Sequence, residues 1–223
     1  MFEAKYSKFL TVLLIIIIVA VIGLGGFLGY NYYKKYSTDK DSENFVSTFT
    51  EDIGETEQNT VPEETGSIAE NITSAETTTT QSNGKVKTYK GFNAIGTIEI
   101  PKTGVSYPIL QDPPTTKKLE TAIVALYPQD ATLNTVGNVV LVGHNYRNGQ
   151  FFSNNKKLAN GDRIYITDLY GKKVTYVIYN VFQTHVNDTE FYNRDTDGKM
   201  EITLSTCTDA SNDQRIIVLA AAE

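Results

Sequence analysis

The sequence predicts a mainly β protein, in which a closed or nearly closed β-barrel follows a transmembrane helix and a disordered stalk. Three observations support this fold class. They are an uncharged segment near the N-terminus, an acidic threonine-rich segment after it, and a series of strand-like runs from residue 88 onward. The chain has 223 residues, which leaves room for one barrel domain and excludes a large multidomain enzyme.

The net charge of −6 is unevenly distributed along the chain. Residues 37–84 carry a net charge of −10, whereas residues 85–223 carry +1. A near-neutral domain without a basic stripe argues against nucleic acid as a partner. The single cysteine excludes an internal disulfide framework, and with two histidines a Cys/His zinc site is not expected.

Residues 9–30 contain no charged side chain. Because about 20 apolar residues can cross a bilayer core as a helix, we predict a transmembrane anchor here, after a short cytoplasmic tail at residues 1–8. A cleaved signal peptide would have a shorter apolar region ending in an A-x-A-like site, whereas this segment ends in glycines. The short tail is expected to stay inside, which predicts a single-pass protein of the cell membrane with its C-terminal domain outside the cell.

Residues 31–87 are predicted to form a stalk. The acidic part of this segment holds eleven Asp or Glu and eleven Thr, with almost no aromatic side chains after Phe49. Such a composition buries too little apolar surface to offset the entropy of ordering the chain. We therefore expect a disordered spacer, extended by charge repulsion.

Residues 88–223 form the predicted barrel domain. Apolar, β-branched and aromatic residues cluster there in short runs separated by Gly or Asp. The predicted strands cover residues 94–100, 105–110, 138–144, 163–168, 173–185, 201–207 and 215–221. One or two short helices fit between them, near residues 116–122 and 151–158. Seven or eight short strands in a domain of this length are typical of a β-barrel.

Cys207 and His144 each lie where a predicted strand gives way to a polar loop. A lone thiol at a strand end of an outward-facing domain is a candidate nucleophile, although a free cysteine is commonly a small buried hydrophobe. An imidazole can take the thiol proton and later protonate a leaving amine, so the two form a candidate acyl-transfer pair. The competing histidine, His185, is the last residue of a long predicted strand and has no glycine beside it to clear space.

Arg215 begins the last predicted strand, eight residues after Cys207. The short loop between the two strands would bring Arg215 beside Cys207, where a guanidinium can hold an oxyanion and favour a thiolate. Residue type alone leaves three other arginines as equal candidates: Arg147, Arg163 and Arg194.

The surroundings of these residues resemble the sortase family. Residues 203–207 read Thr-Leu-Ser-Thr-Cys, which is similar to the TLxTC signature, and Arg215 and an apolar strand follow. Gly143-His144 after a valine-rich strand and the segment 98–102 also match sortase landmarks. The resemblance covers residues 90–223 and implies an eight-stranded barrel in a membrane-anchored cysteine transpeptidase of a Gram-positive cell surface.

By this resemblance, Cys207 attacks the Thr–Gly bond of an LPxTG-like sorting signal of a secreted protein and forms a thioester. An amine from a cell-wall precursor or a protein then resolves the thioester, which anchors the protein to the cell wall, with hydrolysis as a side reaction. The resemblance makes His144 the acid/base and Arg215 the holder of the oxyanion or substrate carbonyl. Ser205 and Thr206 are expected to contact the substrate.

No cofactor is expected, with one weak exception. Some sortases bind calcium near the loop before the catalytic strand, and the acidic residues there are Asp188, Glu190, Asp195 and Asp197. An EF-hand is excluded because its twelfth position is Leu204 in place of a bidentate Glu. A solvated acidic loop is the competing interpretation.

The pilin-polymerising subclass is disfavoured. Those sortases usually carry an Asp-Pro lid ahead of the first strand, whereas Asp112-Pro113 follows the first strands here, and the chain has no tryptophan. The connection before the catalytic strand also has no room for the long helix of some iron-related sortases. A housekeeping-type or spore-related anchoring role is therefore expected.

Two other classes of protein are the alternatives to a sortase: a different extracellular cysteine enzyme and a binding domain. Papain-like peptidases place their cysteine before their histidine, opposite to the order here, and L,D-transpeptidases place an arginine almost adjacent to the cysteine, where Thr208-Asp209 stands. The other alternative is a non-catalytic stalked β-domain that binds a surface ligand and simply buries Cys207.

Overall fold

The structure is a computed structural model that describes residues 2–54 and 87–223. It divides into two compact units, Met1–Asp41 and Ser42–Glu223. The part of the predicted stalk from residue 55 to residue 86 lies outside the described residues.

Helix α1 (Phe2–Gly54) contributes to both units. Among the described residues, it contains the one segment that is long and apolar enough to cross a membrane, Phe9–Glu51, with a mean hydropathy of 3.0 in its most apolar window. The predicted anchor thus agrees with the structure in length and composition. The helix does not end at residue 30, however, so residues 31–54 of the predicted disordered stalk are helical.

The end of α1 is ordered because it carries a stripe of buried side chains at helical spacing within the second unit. Val46 and Phe49 are buried, and the Phe45 ring lies 5.1 Å from the Tyr89 ring between centroids. Lys87 Nζ donates a hydrogen bond of 3.0 Å to the Phe49 carbonyl. Burial of each large apolar side chain contributes about 1.5–3 kcal/mol to stability. This burial offsets the entropy cost of ordering residues 42–54, which the acidic composition had suggested would keep them disordered.

The second unit is built around one mixed β-sheet, with parallel and antiparallel strand pairs, which closes into a barrel. Its strands are β1 (Lys87–Tyr89), β2 (Phe92–Ile100), β3 (Val105–Leu110), β4 (Ile123–Tyr127), β5 (Gly137–Val142), β6 (Arg163–Asp168), β7 (Lys173–His185), β8 (Met200–Cys207) and β9 (Gln214–Ala222). Strands β2 to β9 close in the order β2-β3-β4-β5-β8-β9-β7-β6, and β6 pairs back to β2. The predicted closed eight-stranded barrel is confirmed, and β1 is a short addition to β2.

The bounds of the predicted strands agree with the structure to within two residues, and the differences that matter concern β5, β1 and β4. Strand β5 ends at Val142, two residues before His144, so the histidine lies in the following loop. Strands β1 and β4 were not predicted. The apolar run of β4 follows a predicted helix directly and lacks a period-two pattern, because its first residues are buried on both faces. The predicted helices are shorter than expected: α2 (Thr116–Leu119) and a 3₁₀ turn at Asn155–Lys157.

The two faces of β8 pack against different clusters. Ile202 and Leu204 lie in the main core inside the barrel. Alternate residues therefore point to the outer face, where a second cluster comprises Val140, Phe191, Ile217 and Leu219. Cys207, five residues after Ile202, belongs to this outer face.

Candidate active site

Three strand ends meet at one edge of the barrel. Strands β5 and β8 are parallel neighbours, and their last paired residues are Val142 and Ser205. His144 and Cys207 each lie two residues beyond that pair. Since neighbouring strands are about 4.8 Å apart, the topology brings the two predicted catalytic residues to the same level of adjacent strands.

Arg215 is the direct cross-strand partner of Cys207. Strand β9 is antiparallel to β8, and the register pairs these two residues at the end of the ladder. Residues opposite each other in antiparallel strands have β-carbons about 4.5–5.5 Å apart on the same face. The prediction that the short loop brings Arg215 beside Cys207 is therefore confirmed.

The loop between Cys207 and Arg215 is tied down by its own hydrogen bonds. The Thr208 hydroxyl donates to the Ser211 carbonyl at 3.0 Å and accepts the Ser211 N–H at 3.1 Å. Arg215 Nη1 donates to the carbonyls of Asn212 and Gln214. Cys207 itself is a free, half-buried thiol.

His144 is half-buried against aromatic side chains. Its ring lies 4.8 Å from the Tyr146 ring between centroids, and Tyr146 contacts Phe151. Burial lowers the pKa of His144, and the negative charge of Glu120 acts in the opposite direction. A lowered pKa favours the neutral imidazole near pH 7, which is the form that can accept a proton.

The backbone of His144 is fixed on both sides. Its carbonyl accepts the Phe152 N–H at 3.1 Å. A Cβ at Gly143 would lie 2.6 Å from Ile123 Cδ1 and 2.9 Å from Phe152 Cδ2, so any larger residue beside His144 would have to displace these side chains. His185 has no neighbouring glycine, so the two histidines differ in the space available beside them.

The competing histidine lies farther from the thiol. His185 pairs with Gln214 of β9, and β9 separates its strand, β7, from β8. Two strand spacings amount to about 10 Å. His185 is exposed, and its Nδ1 accepts the Asn187 N–H at 3.3 Å.

Comparison with known proteins gives the family. The sortase domain model matches residues 98–223, which is more than half of the chain. The chain belongs to the sortase family.

Solved structures agree with this assignment. The sortase shares 30% identity with a lid mutant of sortase A from Corynebacterium diphtheriae (TM-score 0.52), over 58% of this chain and 70% of that chain. It shares 26% identity with a sortase D5 transpeptidase from Clostridium perfringens (TM-score 0.56), over 84% of this chain and 99% of that chain. It also shares 26% identity with sortase C1 of GBS pilus island 1 (TM-score 0.51), over 58% and 64%.

These neighbours carry the names of several sortase classes, so the expectation about the subclass stays a prediction. Direct comparison with curated protein sequences finds no match.

Two of the other arginines of this sortase are engaged elsewhere. Arg194 pairs with Glu201, and Arg163 pairs with Glu223. Arg147 follows His144 in an exposed loop. The register therefore distinguishes Arg215 from arginines that residue type left equal.

The two expected substrate contacts lie on opposite faces of β8. Ser205 alternates with Thr206 and shares the face of Cys207, although it is only 5% exposed. Thr206 is 3% exposed, and its hydroxyl donates to the Gly143 carbonyl at 2.8 Å. This bond joins β5 to β8, and the contact of Thr206 with substrate stays a prediction.

Two of the four acidic residues in the β7–β8 connection, Asp188 and Asp195, cap turns. Asp188 accepts hydrogen bonds from the Thr184 hydroxyl and the Glu190 N–H. Asp195 Oδ1 accepts the Asp197 N–H at 2.9 Å. Within residues 2–54 and 87–223, no group of three His, Cys, Asp or Glu side chains is arranged to hold a metal ion, at these positions or elsewhere.

Sequence reasoning missed one residue at this edge of the barrel. Asn145 directly follows His144, and its Nδ2 donates to the Cys207 carbonyl at 2.9 Å and to Asp209 Oδ1 at 2.8 Å. The only sequence signal was a hydrogen-bonding side chain next to the candidate base. The bond itself follows from the β5–β8 register.

Proposed function

We propose that this sortase is a cysteine transpeptidase of a Gram-positive cell surface, which cleaves an LPxTG-like sorting signal between Thr and Gly and transfers the acyl group to an amine. Family membership supports transpeptidase chemistry. The observation that carries the residue assignment is the Cys207–Arg215 cross-strand pair beside the end of β5.

In the first half-reaction, the Cys207 sulfur attacks the carbonyl carbon of the substrate threonine. Neutral His144 accepts the thiol proton, and the Arg215 guanidinium stabilises the oxyanion. When the C–N bond breaks, the imidazolium returns that proton to the leaving glycine amine. The product is a thioester between Cys207 and the threonine carbonyl.

In the second half-reaction, an amine attacks the thioester carbonyl. His144 takes the proton from the attacking nitrogen and passes it to the Cys207 sulfur as the C–S bond breaks, which regenerates the thiol and the neutral imidazole. Because a thioester keeps acyl-transfer energy, the new amide forms without ATP. Water in place of the amine gives hydrolysis as the side reaction.

The apolar segment of α1 supports a location at the membrane. We propose that residues 9–30 anchor the protein with its N-terminus in the cytoplasm and the barrel outside the cell. The partners would then be sorting signals of secreted proteins and an amine of a cell-wall precursor or protein.

The test is a ligation assay with the full-length protein in detergent micelles. A library of xPxTG peptides is mixed with a labelled amine, and the joined product is measured by mass spectrometry. We expect a product that is lost in Cys207→Ala and kept in Ser211→Ala, a small change in the adjacent loop. Failure of every proline-containing peptide to give a product with the wild-type protein would contradict the proposal.

A further inference from the structure

We infer that Asn145 is a positioning residue that fixes the separation of His144 and Cys207. This inference rests on the proposed function, because the separation matters only if the two residues act together. Asn145 is half-buried in the loop after β5, directly next to His144 in the chain.

The argument begins where the β5–β8 ladder ends, at the Val142–Ser205 pair. Beyond it, three hydrogen bonds join the two strand ends. The Gly143 N–H donates to the Ser205 carbonyl at 3.3 Å, and the Thr206 hydroxyl donates to the Gly143 carbonyl at 2.8 Å.

The third of these bonds runs from Asn145 Nδ2 to the Cys207 carbonyl at 2.9 Å. It alone among the three reaches the residue that carries the thiol. It also starts one residue after the imidazole, so it ties both predicted catalytic residues to each other through the backbone.

The Asn145 amide is held in one orientation. Its Oδ1 accepts the Arg147 N–H at 3.0 Å, while its Nδ2 donates to the Cys207 carbonyl and to Asp209 Oδ1. An amide that is rotated by half a turn would place an oxygen against these two acceptors. The side chain therefore acts as a rigid link between the loop and the strand.

The two bonds from Nδ2 are not equivalent. Asp209 is exposed and pairs with Lys156 at the surface, and an exposed pair of this kind contributes little to stability. The bond to the Cys207 carbonyl lies at the reacting residue, where misplacement by about 1 Å can cost on the order of 100-fold in rate. We therefore assign the expected loss of kcat to the bond between Asn145 Nδ2 and the Cys207 carbonyl.

The test uses the full-length protein in detergent micelles and two readouts. One is kcat and KM with an LPxTG peptide, and the other is the pH dependence of Cys207 alkylation by iodoacetamide. For Asn145→Ala we expect kcat to fall about tenfold or more with KM nearly unchanged. We also expect an altered pH profile of alkylation, because the thiol is no longer held beside the imidazole.

Two matched variants serve as controls. Asp209→Ala removes one acceptor of Asn145 and leaves the Cys207 bond. Asn148→Ala removes an amide of the same loop, which donates to Gln150 Oε1 and accepts the Gln150 N–H at 2.9 Å each. Both should stay within about twofold of wild type in kcat.

A double variant addresses the case in which Asn145→Ala does not fold. Asn145→Asp with Asp209→Asn exchanges the amide and the carboxylate, so the link between these two side chains can form again, while the Cys207 carbonyl faces a carboxylate. We expect this protein to remain slow. Recovery of the wild-type kcat would overturn the inference.

Other outcomes separate this inference from the proposed function. A wild-type kcat and alkylation profile in Asn145→Ala, or an equal loss in Asp209→Ala, would overturn the role of the Cys207 bond. If the wild-type protein joins no peptide while Asn145→Ala still changes the alkylation profile, the positioning role stands and the proposed function fails.

Discussion

The two ends of strand β8 carry ionisable side chains on the same outer face of the barrel, and each of these side chains lies near an arginine in a different setting. At the start of the strand, Glu201 pairs with Arg194, and the side chains of this pair are 8% and 17% exposed. At the other end, the half-buried Cys207 lies across from Arg215. The same residue type, arginine, thus lies beside a carboxylate at one end of the strand and across from a thiol at the other.

The two arginines, Arg194 and Arg215, also differ in their hydrogen-bond partners. Arg194 Nη2 donates to Asn138 Oδ1 and Thr203 Oγ1 at 3.1 Å and 3.2 Å, and Tyr179 OH donates to Glu201 at 2.8 Å. Burial and the neighbouring carboxylate raise the pKa of Tyr179 to about 12, so it stays a donor.

The Arg215 guanidinium donates hydrogen bonds from Nη1 to two carbonyls of its own loop. The Arg194 guanidinium is therefore bonded to side chains of its own cluster, whereas the Arg215 guanidinium is bonded to loop carbonyls. This comparison indicates a structural role for Arg194, and the catalytic role of Arg215 stays a proposal.

The largest expected effect is on turnover in Arg215→Ala. Loss of an oxyanion-stabilising group typically costs about 10²–10³ in kcat, and the free energy of unfolding should change by less than about 1 kcal/mol. Peptide turnover and urea denaturation of the same protein give both values. Arg147→Ala, in the loop after His144, is the control and should lose less activity; the opposite ranking would mean that the wrong arginine is assigned.

Arg194→Ala should show the reverse pattern. Removal of one partner leaves Glu201 buried without its counterion, which costs about 3 kcal/mol in the free energy of unfolding. The folded fraction should lose less activity than Arg215→Ala does. Arg163→Ala removes an exposed pair with Glu223, 55% exposed on each side, and should cost less than about 1 kcal/mol. Equal destabilisation by the two variants would break the comparison.

The smallest effect is a shift in pH dependence. The carboxylate of Glu120 raises the pKa of His144 against the effect of burial. Glu120→Gln should therefore lower that pKa further, and the acid limb of the kcat/KM profile should move to lower pH, because the neutral imidazole persists there. Glu99→Gln, which removes a surface carboxylate paired with Lys173, is the control. A shift to higher pH would show that Glu120 does not act on His144.

The sequence was informative where the relevant contacts are local. Cys207 and Arg215 flank a short polar loop between two apolar runs, so their pairing could be predicted from hairpin geometry. His144 could be placed at a strand end, but its preference over His185 depended on family resemblance until the strand order was known.

The helical end of α1 was missed because overall composition hid a local pattern. Acidic and threonine residues dominate the predicted stalk, whereas Phe45, Val46 and Phe49 follow helical spacing within it. A window of one or two turns would have revealed the stripe. The composition of the whole segment conceals this stripe, because three apolar residues change its average very little.

Asn145 and Arg194 could not be assigned from the sequence for a different reason. Asn145 bonds to a carbonyl 62 residues away, and Arg194 bonds to Asn138 across 56 residues. Both contacts depend on the parallel register of β5 and β8, which the sequence does not specify. Only the folded barrel distinguishes these two side chains from other polar loop residues.

The most direct test of the central claim, that Cys207 is the nucleophile, is the intact mass of the full-length protein after incubation with an LPxTG peptide and no amine. The account predicts a mass increase equal to the peptide through its threonine, mapped to the fragment that contains Cys207, and no increase in Cys207→Ala. An adduct that persists in Cys207→Ala, or a wild-type protein that turns the peptide over without an adduct at Cys207, would contradict it.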